Sequence, residues 1–554
     1  MTTIGTAKRE HQHVFERARA LSGEFTMTGE DTAGGNAGAD DIEYGIDDQP
    51  PFGESAVLGV QHYLTMVGAN IAVPLFLADA MGMPDPLWPQ FIGTFFVVSG
   101  IATLAQTTFG NRYPIVQGAP FSMLAPALAI IGVVTAGGAG GDWQAALVQL
   151  QGAIILAAVV QVAMGYFGLV GKLQRYLSPV AIAPTIALIG LALFDADQIT
   201  SPEQSWWLLG LTLGLILLFS QYLDLKHRAF RLYPVILAIG ISWIVAAVLS
   251  ATGVLSSGHP GFVPLGDVTN TSLILPIRPF QWGSPEVTTA FVVGMFAGVL
   301  ASIVESIGDY YAVANLTGAA APSEKRINHG IGMEGLMNVF SGIMGTGGST
   351  SYSENIGAIG LTGVASRYVV QFGAVIMLLV GFIGYFGQLI ATIPDPIIGG
   401  LFIAMFAQIV AVGIGNLKHV DLDSSRNVFI VGFALFVGLA IPSYMGNFES
   451  TLAFREAVGL AGAIDPLLGA DAIAGTVLVP VIEGAAIAVV DTIYIIGSTG
   501  MAIGGLAALV LDNTIPGTRT ERGLAELDRL TEDETEFNTF WDRWIGGTES
   551  QTEG

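Results

Sequence analysis

The sequence predicts an all-α polytopic membrane protein of fourteen transmembrane segments, arranged as two inverted seven-segment repeats. Three observations predict it. Of 554 residues, 52% are hydrophobic and only 12% charged, against roughly 25% charged in ordinary soluble domains. Apolar stretches of membrane-spanning length recur from Ala56 to Leu511. Two of them, the third and the tenth, are short and interrupted by proline or glycine, and they lie seven segments apart.

The expected spans are 56–79, 90–109, 115–135, 147–169, 177–194, 205–223, 232–252, 288–314, 330–345, 353–364, 368–392, 396–415, 427–445 and 485–510. Basic residues set their orientation. With both ends cytoplasmic, the cytoplasmic loops carry Arg112; Lys172 and Arg175; Lys226, Arg228 and Arg231; Lys325 and Arg326; Arg367; and Lys418 and Arg426. The opposite loops hold little more than Arg278 and Arg455, so the positive-inside rule is obeyed loop after loop. Fourteen spans divide into seven plus seven, and an odd number per half inverts the second half against the first.

The net charge of −24 belongs largely to the ends, where acids crowd the segment before Glu54 and the tail after Asn513. That charge repels nucleic acid, and no basic arm offsets it. Lys8, Lys172, Lys226, Lys325 and Lys418 are the only lysines; an acidic, lysine-poor surface suits a high-salt cytoplasm such as a halophile's, where like-charge repulsion is screened. The absence of cysteine excludes disulfides, thiolate metal sites and cysteine nucleophiles. No apolar core marks a cleavable signal in the first fifty residues, and Thr28 to Asp48, rich in Gly, Asp and Glu, is expected to be disordered. The chain has no GxxxxGK[ST] or HExxH motif and no Cys/His cluster. A gradient is therefore the expected energy source, and no cofactor or metal is expected.

The third segment opens with Tyr113-Pro114-Ile115-Val116-Gln117-Gly118-Ala119-Pro120-Phe121, and the tenth with Gly345 to Thr350 followed by Ser353-Glu354-Asn355-Ile356-Gly357. Backbone so broken survives at membrane depth only where it lines a protein-enclosed cavity. Paired broken segments in corresponding positions point to a ligand site between the repeats, with half-helix N-termini aiming N–H groups at a polar or anionic ligand. Glu305 and Asp309, four apart in the eighth span, share one helical face. Each would cost roughly 2.5–3.5 kcal/mol toward lipid, and two acids close together in low dielectric rarely both ionise. A proton-coupling site needs that behaviour, whereas hydrogen bonding that fixes helix packing is the plainer role. Glu354 can accept from the N–H edge of a planar ligand. Asn355 suits either the site or a strut between spans, and Phe121 either ring stacking or core packing. His62, beside Gln61 in the first span, can relay a proton or hold helices together. Glu334, Glu483 and Asp491 lack a broken-helix context and are assigned to structure or to water-facing edges.

Glu354-Asn355-x-Gly357-x-x-x-x-Thr362-Gly363 resembles the signature of the nucleobase–ascorbate transporter family: Q, E or P, then N-x-G-x-x-x-x-T, then R, K or G. Gln61-His62, Gln117-Gly118-x-x-Phe121, Glu305-Ser306-Ile307-Gly308-Asp309-Tyr310-Tyr311, Asp421 to Asn427 and Leu511 to Gly517 also resemble family segments, in family order. The resemblance runs from about Gly53 to Gly523. It implies a core domain at 54–172 (spans 1–4) and 286–393 (spans 8–11), and a gate domain at 173–262 (spans 5–7) and 394–513 (spans 12–14). Outside these lie an acidic disordered N-terminal tail, 1–53, and an acidic cytoplasmic C-terminal tail, 514–554. It further implies a homodimer in the cell membrane whose core slides against the gate. Substrate contacts fall on Glu305, Glu354, Phe121 and Ser353, and a coupling network on Asp309, Asn355, His62 and Gln61.

Glutamate at the first signature position is often that of uracil-type or broad nucleobase carriers, so uracil is favoured over xanthine or another purine. The eighth-span motif and Ser424-Ser425-Arg426-Asn427 look more like the branch that includes ascorbate and purine carriers. Pro120 departs from the usual Ser or Thr and cannot donate a side-chain hydrogen bond. The expected partners are a nucleobase, the lipid bilayer and a co-transported H+ or Na+. The alternative is an anion carrier of sulfate or bicarbonate type, or an ascorbate carrier, on the same fold; Glu305, Asp309 and Glu354 would repel a permanently charged anion. An intramembrane enzyme using the acid pair, or a channel, is the reading from another class, distinguished by an altered product or by conduction that needs no gradient.

Overall fold

The computed structural model describes residues 42–136, 142–170, 176–224, 226–269, 271–448, 451–459, 478–524, 537 and 539. Sixteen principal helices carry the fold among them: α1 (Phe52–Ala80), α2 (Trp88–Thr108), α3 (Leu124–Ala136), α4 (Trp143–Tyr166), α5 (Pro179–Leu191), α6 (Trp206–Leu217), α7 (Pro234–Ala251), α8 (Thr289–Thr317), α9 (Glu324–Met344), α10 (Ser353–Thr362), α11 (Arg367–Gly381), α12 (Gly384–Ala391), α13 (Asp395–Gly415), α14 (Ser425–Met445), α15 (Leu478–Ser498) and α16 (Gly500–Thr514). Two strands of two residues each, β1 (Gln117–Gly118) and β2 (Thr350–Ser351), form a small antiparallel ribbon.

Caps explain several boundaries. The Asp142 carboxylate accepts from the Gln144 and Ala145 N–H groups at the start of α4, and Ser323 accepts from Arg326 N–H at the start of α9. Gly318, Gly345 and Gly363 end α8, α9 and α10 in the left-handed conformation.

Among the described residues, seven helices are long and apolar enough to cross a membrane alone: α1, α2 with its preceding turn, α4, α7, α8, α13 and α14. The last expected span differs from the sequence reading. It bends by 96° between α15 and α16, where a Cβ on Gly500 would lie 2.3 Å from the Gly438 carbonyl oxygen, so α16 turns to pack directly on α14. The eleventh expected span is likewise two pieces, α11 and α12, parted at Ile383, which forms an antiparallel bridge to Ile274.

The helices sort into two bundles by their packing. In the first, α4 packs on α9, and α11 on α1 and α2; in the second, α5 packs on α13 and α16, and α14 on α16. Helix α8 belongs with α4 but also touches α15. Small residues allow the closest approaches. A Cβ on Gly93 of α2 would sit 2.4 Å from the Gly381 oxygen of α11, and one on Gly59 of α1 would sit 2.8 Å from the Gly373 nitrogen.

The N-terminal boundary also differs from the expectation. Residues 42–50 are not disordered but lie along the α10–α11 turn, with Tyr44 bridging Val364 in parallel. Ala365 N–H donates to the Tyr44 oxygen at 2.8 Å and Arg367 N–H to the Ile46 oxygen at 3.0 Å. The cause is local. The turn leaves N–H groups without helical partners, and the buried Arg367 side chain takes Asp47 as its counter-charge at 2.7 Å.

Candidate functional site

The ribbon joins the two broken segments, with Gln117 opposite Ser351 and Gly118 opposite Thr350. Each strand runs into a helix start, the 3-10 turn Phe121–Met123 before α3 on one side and α10 on the other. Side chains of the first bundle hold the segments in place. Thr103 Oγ1 accepts from Gln117 N–H at 2.9 Å, and Asn70 Oδ1 accepts from Ala119 N–H at 3.2 Å and from Ser99 Oγ at 3.0 Å. Tyr352 packs against Gly118 and donates its hydroxyl to the Ala119 oxygen at 2.9 Å. A Cβ on Gly118 would lie 2.4 Å from the Tyr352 ring. Gly118→Ala is therefore expected to displace Tyr352 and weaken substrate affinity roughly tenfold, about 1.4 kcal/mol, with the protein still inserted. An unchanged KM in an uptake assay would show that the ribbon tolerates the methyl.

Asn355 is fully buried in the first turn of α10 and spends its amide on the other segment: Oδ1 accepts from Val116 N–H at 3.0 Å and Nδ2 donates to the Pro114 oxygen at 3.0 Å. This is the geometry of a strut. Asp309 of α8, 4% exposed, reaches the second broken segment; Ser351 Oγ and Ser353 Oγ each donate to its carboxylate at 2.6 Å. The chain of contacts continues. Ser351 Oγ lies 2.9 Å from Ser306 Oγ, and Ser306 donates to the Glu334 carboxylate.

Glu334, assigned to structure or a water-facing edge on sequence, is in fact fully buried and is the hub of this network. Its carboxylate also accepts from Ser302 Oγ at 2.8 Å and Gln161 Nε2 at 3.0 Å. Gln161 accepts from Asn338 Nδ2 at 2.9 Å, and Asn338 accepts from Ser349 N–H at 2.6 Å. Two carboxylates, Asp309 and Glu334, are thus bridged by two serine hydroxyls. With both serines donating outward no hydrogen lies between their oxygens, and the path becomes continuous when one carboxyl is protonated and donates to its serine, which then donates onward. Sequence reading missed Glu334 because its helix neighbours, Gly332, Met333 and Gly335, give no sign of the serines that meet it from α8. The available signal was Ser302, Ser306 and Asp309 recurring at helical spacing on one side of α8.

The other candidates are distributed around this network. Glu305 is half-buried one turn before Asp309 on α8. Glu354 occupies the first turn of α10, and its side chain, like that of Glu483, lies outside the described residues. Ser353 and Gly357 on α10 and Gly308 on α8 are exposed, and a Cβ on Gly308 or Gly357 would meet nothing within 4 Å. An open space therefore lies along both helices. Phe121 is buried and meets Phe406 of α13 edge-on at 6.2 Å; Phe406 stacks on Phe402, which packs on Phe76. This aromatic row lies where the first bundle touches the second, and Phe406 was not foreseen. His62 is buried on α1 beside the Val364 backbone. Gln61 next to it keeps a buried Nε2 without a hydrogen-bond partner. Asp491 pairs with Arg455, whose Nε lies 2.6 Å away.

A family model described as the Permease family (Xan_ur_permease) matches residues 53–446. The chain belongs to that family. This permease is 41% identical over 525 residues to solute carrier family 23 member 2 of Mus musculus, covering 87% of this chain and 76% of that protein. It is 32% identical over 531 residues to nucleobase-ascorbate transporter 12 of Arabidopsis thaliana, covering 87% and 71%. Among solved structures, the murine solute carrier 26 family member A9 anion transporter in its inward-facing state aligns at a TM-score of 0.52 and 14% identity, over 82% of this chain and 75% of that one. That likeness is one of fold. The permease is a multi-pass membrane protein and a transporter, not an enzyme. A small-molecule substrate and the bilayer are its partners.

Proposed function

We propose that this permease imports a nucleobase, uracil in preference to purines, by proton symport, with its first bundle moving as a core against the second as a gate. The observation that carries the coupling is the Asp309–Ser351–Ser306–Glu334 chain. A proton held between two carboxylates through hydroxyls can be taken up or released as the serines on the second broken segment move with the ligand. Because Ser353 is exposed to the open space and both it and the buried Ser351 two residues before it donate to Asp309, a change at the ligand reaches Asp309 through the start of α10. Glu354 sits at the start of the same helix, where a carboxylate accepting two N–H groups of a pyrimidine edge discriminates by hydrogen bonding.

Fourteen crossings with inverted symmetry fit the packing as well. Exchanging each span with the one seven places on turns the α4–α9 contact into the α11–α2 contact, and both are made. The fold then has both ends in the cytoplasm of a plasma-membrane protein, and the family resemblance supports a homodimer.

The deciding experiment is radiolabelled uracil uptake into proteoliposomes under an inward proton gradient, with sodium present or absent and xanthine as competitor. Gradient-driven, sodium-independent uptake that xanthine does not suppress is expected. Uptake of xanthine but not uracil would keep the coupling and overturn the specificity. Glu354→Gln is expected to lower uracil affinity roughly tenfold, about 1.4 kcal/mol, and to admit purines; unchanged affinity for both would remove Glu354 from the site.

A further inference from the structure

The C-terminal tail contributes two described residues beyond Leu524, and both are buried: Phe537 is 6% exposed and Thr539 7%. The Phe537 ring lies over the Arg326 guanidinium, 4.4 Å from its centroid, and 6.2 Å from the His329 ring. The same guanidinium lies 4.4 Å over Tyr113 and donates to the Asn111 oxygen at 2.7 Å. Tyr113 opens the first broken segment and packs 6.1 Å from Tyr310, the residue after Asp309. The platform under Phe537 therefore adjoins the first broken segment and α8, in the first bundle.

Upstream, the same tail is fastened to the second bundle. Arg522 pairs with Asp512 of α16 at 2.7 Å, Asn427 Nδ2 of α14 donates to the Glu521 oxygen at 2.8 Å, and Ser424 donates to the Glu521 carboxylate. The chain is thus anchored on one bundle and seated on the other. A cavity of about 500 Å³ lined by Tyr166, Glu324, Lys325, Asn328 and His329 adjoins the platform.

We propose that the C-terminal tail is an intramolecular regulator: Phe537, docked on the Arg326–Tyr113 platform, ties the first bundle to the second and slows the movement that carries substrate. The inference rests on the two-bundle movement proposed above. Undocking precedes or accompanies each crossing, so strengthening the seat lowers the transport rate and weakening it raises the rate.

The test uses the full chain, whose lack of cysteine lets two be placed at will. Spin labels on Val375→Cys in α11 and Phe436→Cys in α14, both exposed, report the distance between bundles by double electron–electron resonance. Two distances are expected in the labelled parent, and adding Phe537→Ala is expected to shift their ratio roughly two- to fivefold, the fold-change one accessible cation–π contact supports. Phe537→Trp, which keeps an aromatic face, is expected to preserve the ratio. The maximal uptake rate should rise by a similar factor in Phe537→Ala, with KM unchanged. Two distances whose ratio ignores Phe537→Ala would overturn the tail proposal alone. A single distance in parent and variant at every pH would overturn both the tail proposal and the movement beneath it. The distance measurement needs no substrate, so a wrong substrate leaves it readable.

Discussion

Glu334→Leu is expected to abolish uptake and to destabilise the protein by roughly 2–4 kcal/mol, read as a lower midpoint of thermal unfolding in detergent. Leucine removes the acceptor that Ser302, Ser306 and Gln161 share, and each buried donor left without a partner costs roughly 1–3 kcal/mol. The two hydroxyls can turn to other acceptors, since Ser302 Oγ is 2.7 Å from Thr350 Oγ1 and Ser306 Oγ is 2.9 Å from Ser351 Oγ. Among the described residues the Gln161 amide has no second acceptor, so it alone bears the full cost and the net stays below the sum of three. The loss of function has a separate cause: reorienting Ser306 breaks the path from Asp309. Glu334→Gln separates the two effects. It keeps an acceptor and nearly the same volume, so the fold is expected to hold while proton-driven accumulation disappears. Normal accumulation by Glu334→Gln would make Glu334 a packing residue.

Asp309→Asn is expected to leave folding and substrate binding nearly intact but to abolish concentrative uptake. The amide can still accept from one serine, and its NH2 can donate to the other, because a serine hydroxyl accepts as readily as it donates. Stability should change by less than about 1 kcal/mol, as for substitutions that leave no buried group unpaired. What asparagine cannot do is carry a proton on and off. Uptake by the parent should grow as the external side is made more acid than the interior. Uptake by the variant should be indifferent to the gradient and stop at equilibration, while exchange of internal for external substrate persists. Accumulation driven by the proton gradient in Asp309→Asn would show that the coupling lies elsewhere.

The positions of the helices were legible because bilayer thickness imposes a length and apolar composition that a single sequence displays. The broken segments were legible for the converse reason: Pro114, Gly118, Pro120 and the glycines from Gly345 to Gly348 cannot build continuous lipid-facing helix. What pattern reading could not see were pairings between distant segments. Asp309 was singled out because an acid stands out in an apolar helix, whereas Glu334 was passed over because its meaning depends on three donors from two other helices. Asn355 looked equally suited to two roles until its partners, Pro114 and Val116, were in view. The 96° bend at Thr499 left no mark because both arms are apolar and no proline separates them. The ordered strap at residues 42–50 was hidden by its acidity, since Asp47 reads as a solvated charge until Arg367 is placed beside it.

The two-residue ribbon has one more consequence. Because Gln117–Gly118 and Thr350–Ser351 are hydrogen-bonded to each other, the helix starts that follow them cannot part without breaking backbone bonds in a place with no water to replace them. A ligand seated between them would meet the same donors on arrival and on departure. Discrimination among ligands would then be stamped once, into a single travelling mould. A substitution in that mould should alter preference equally for entry and for exit.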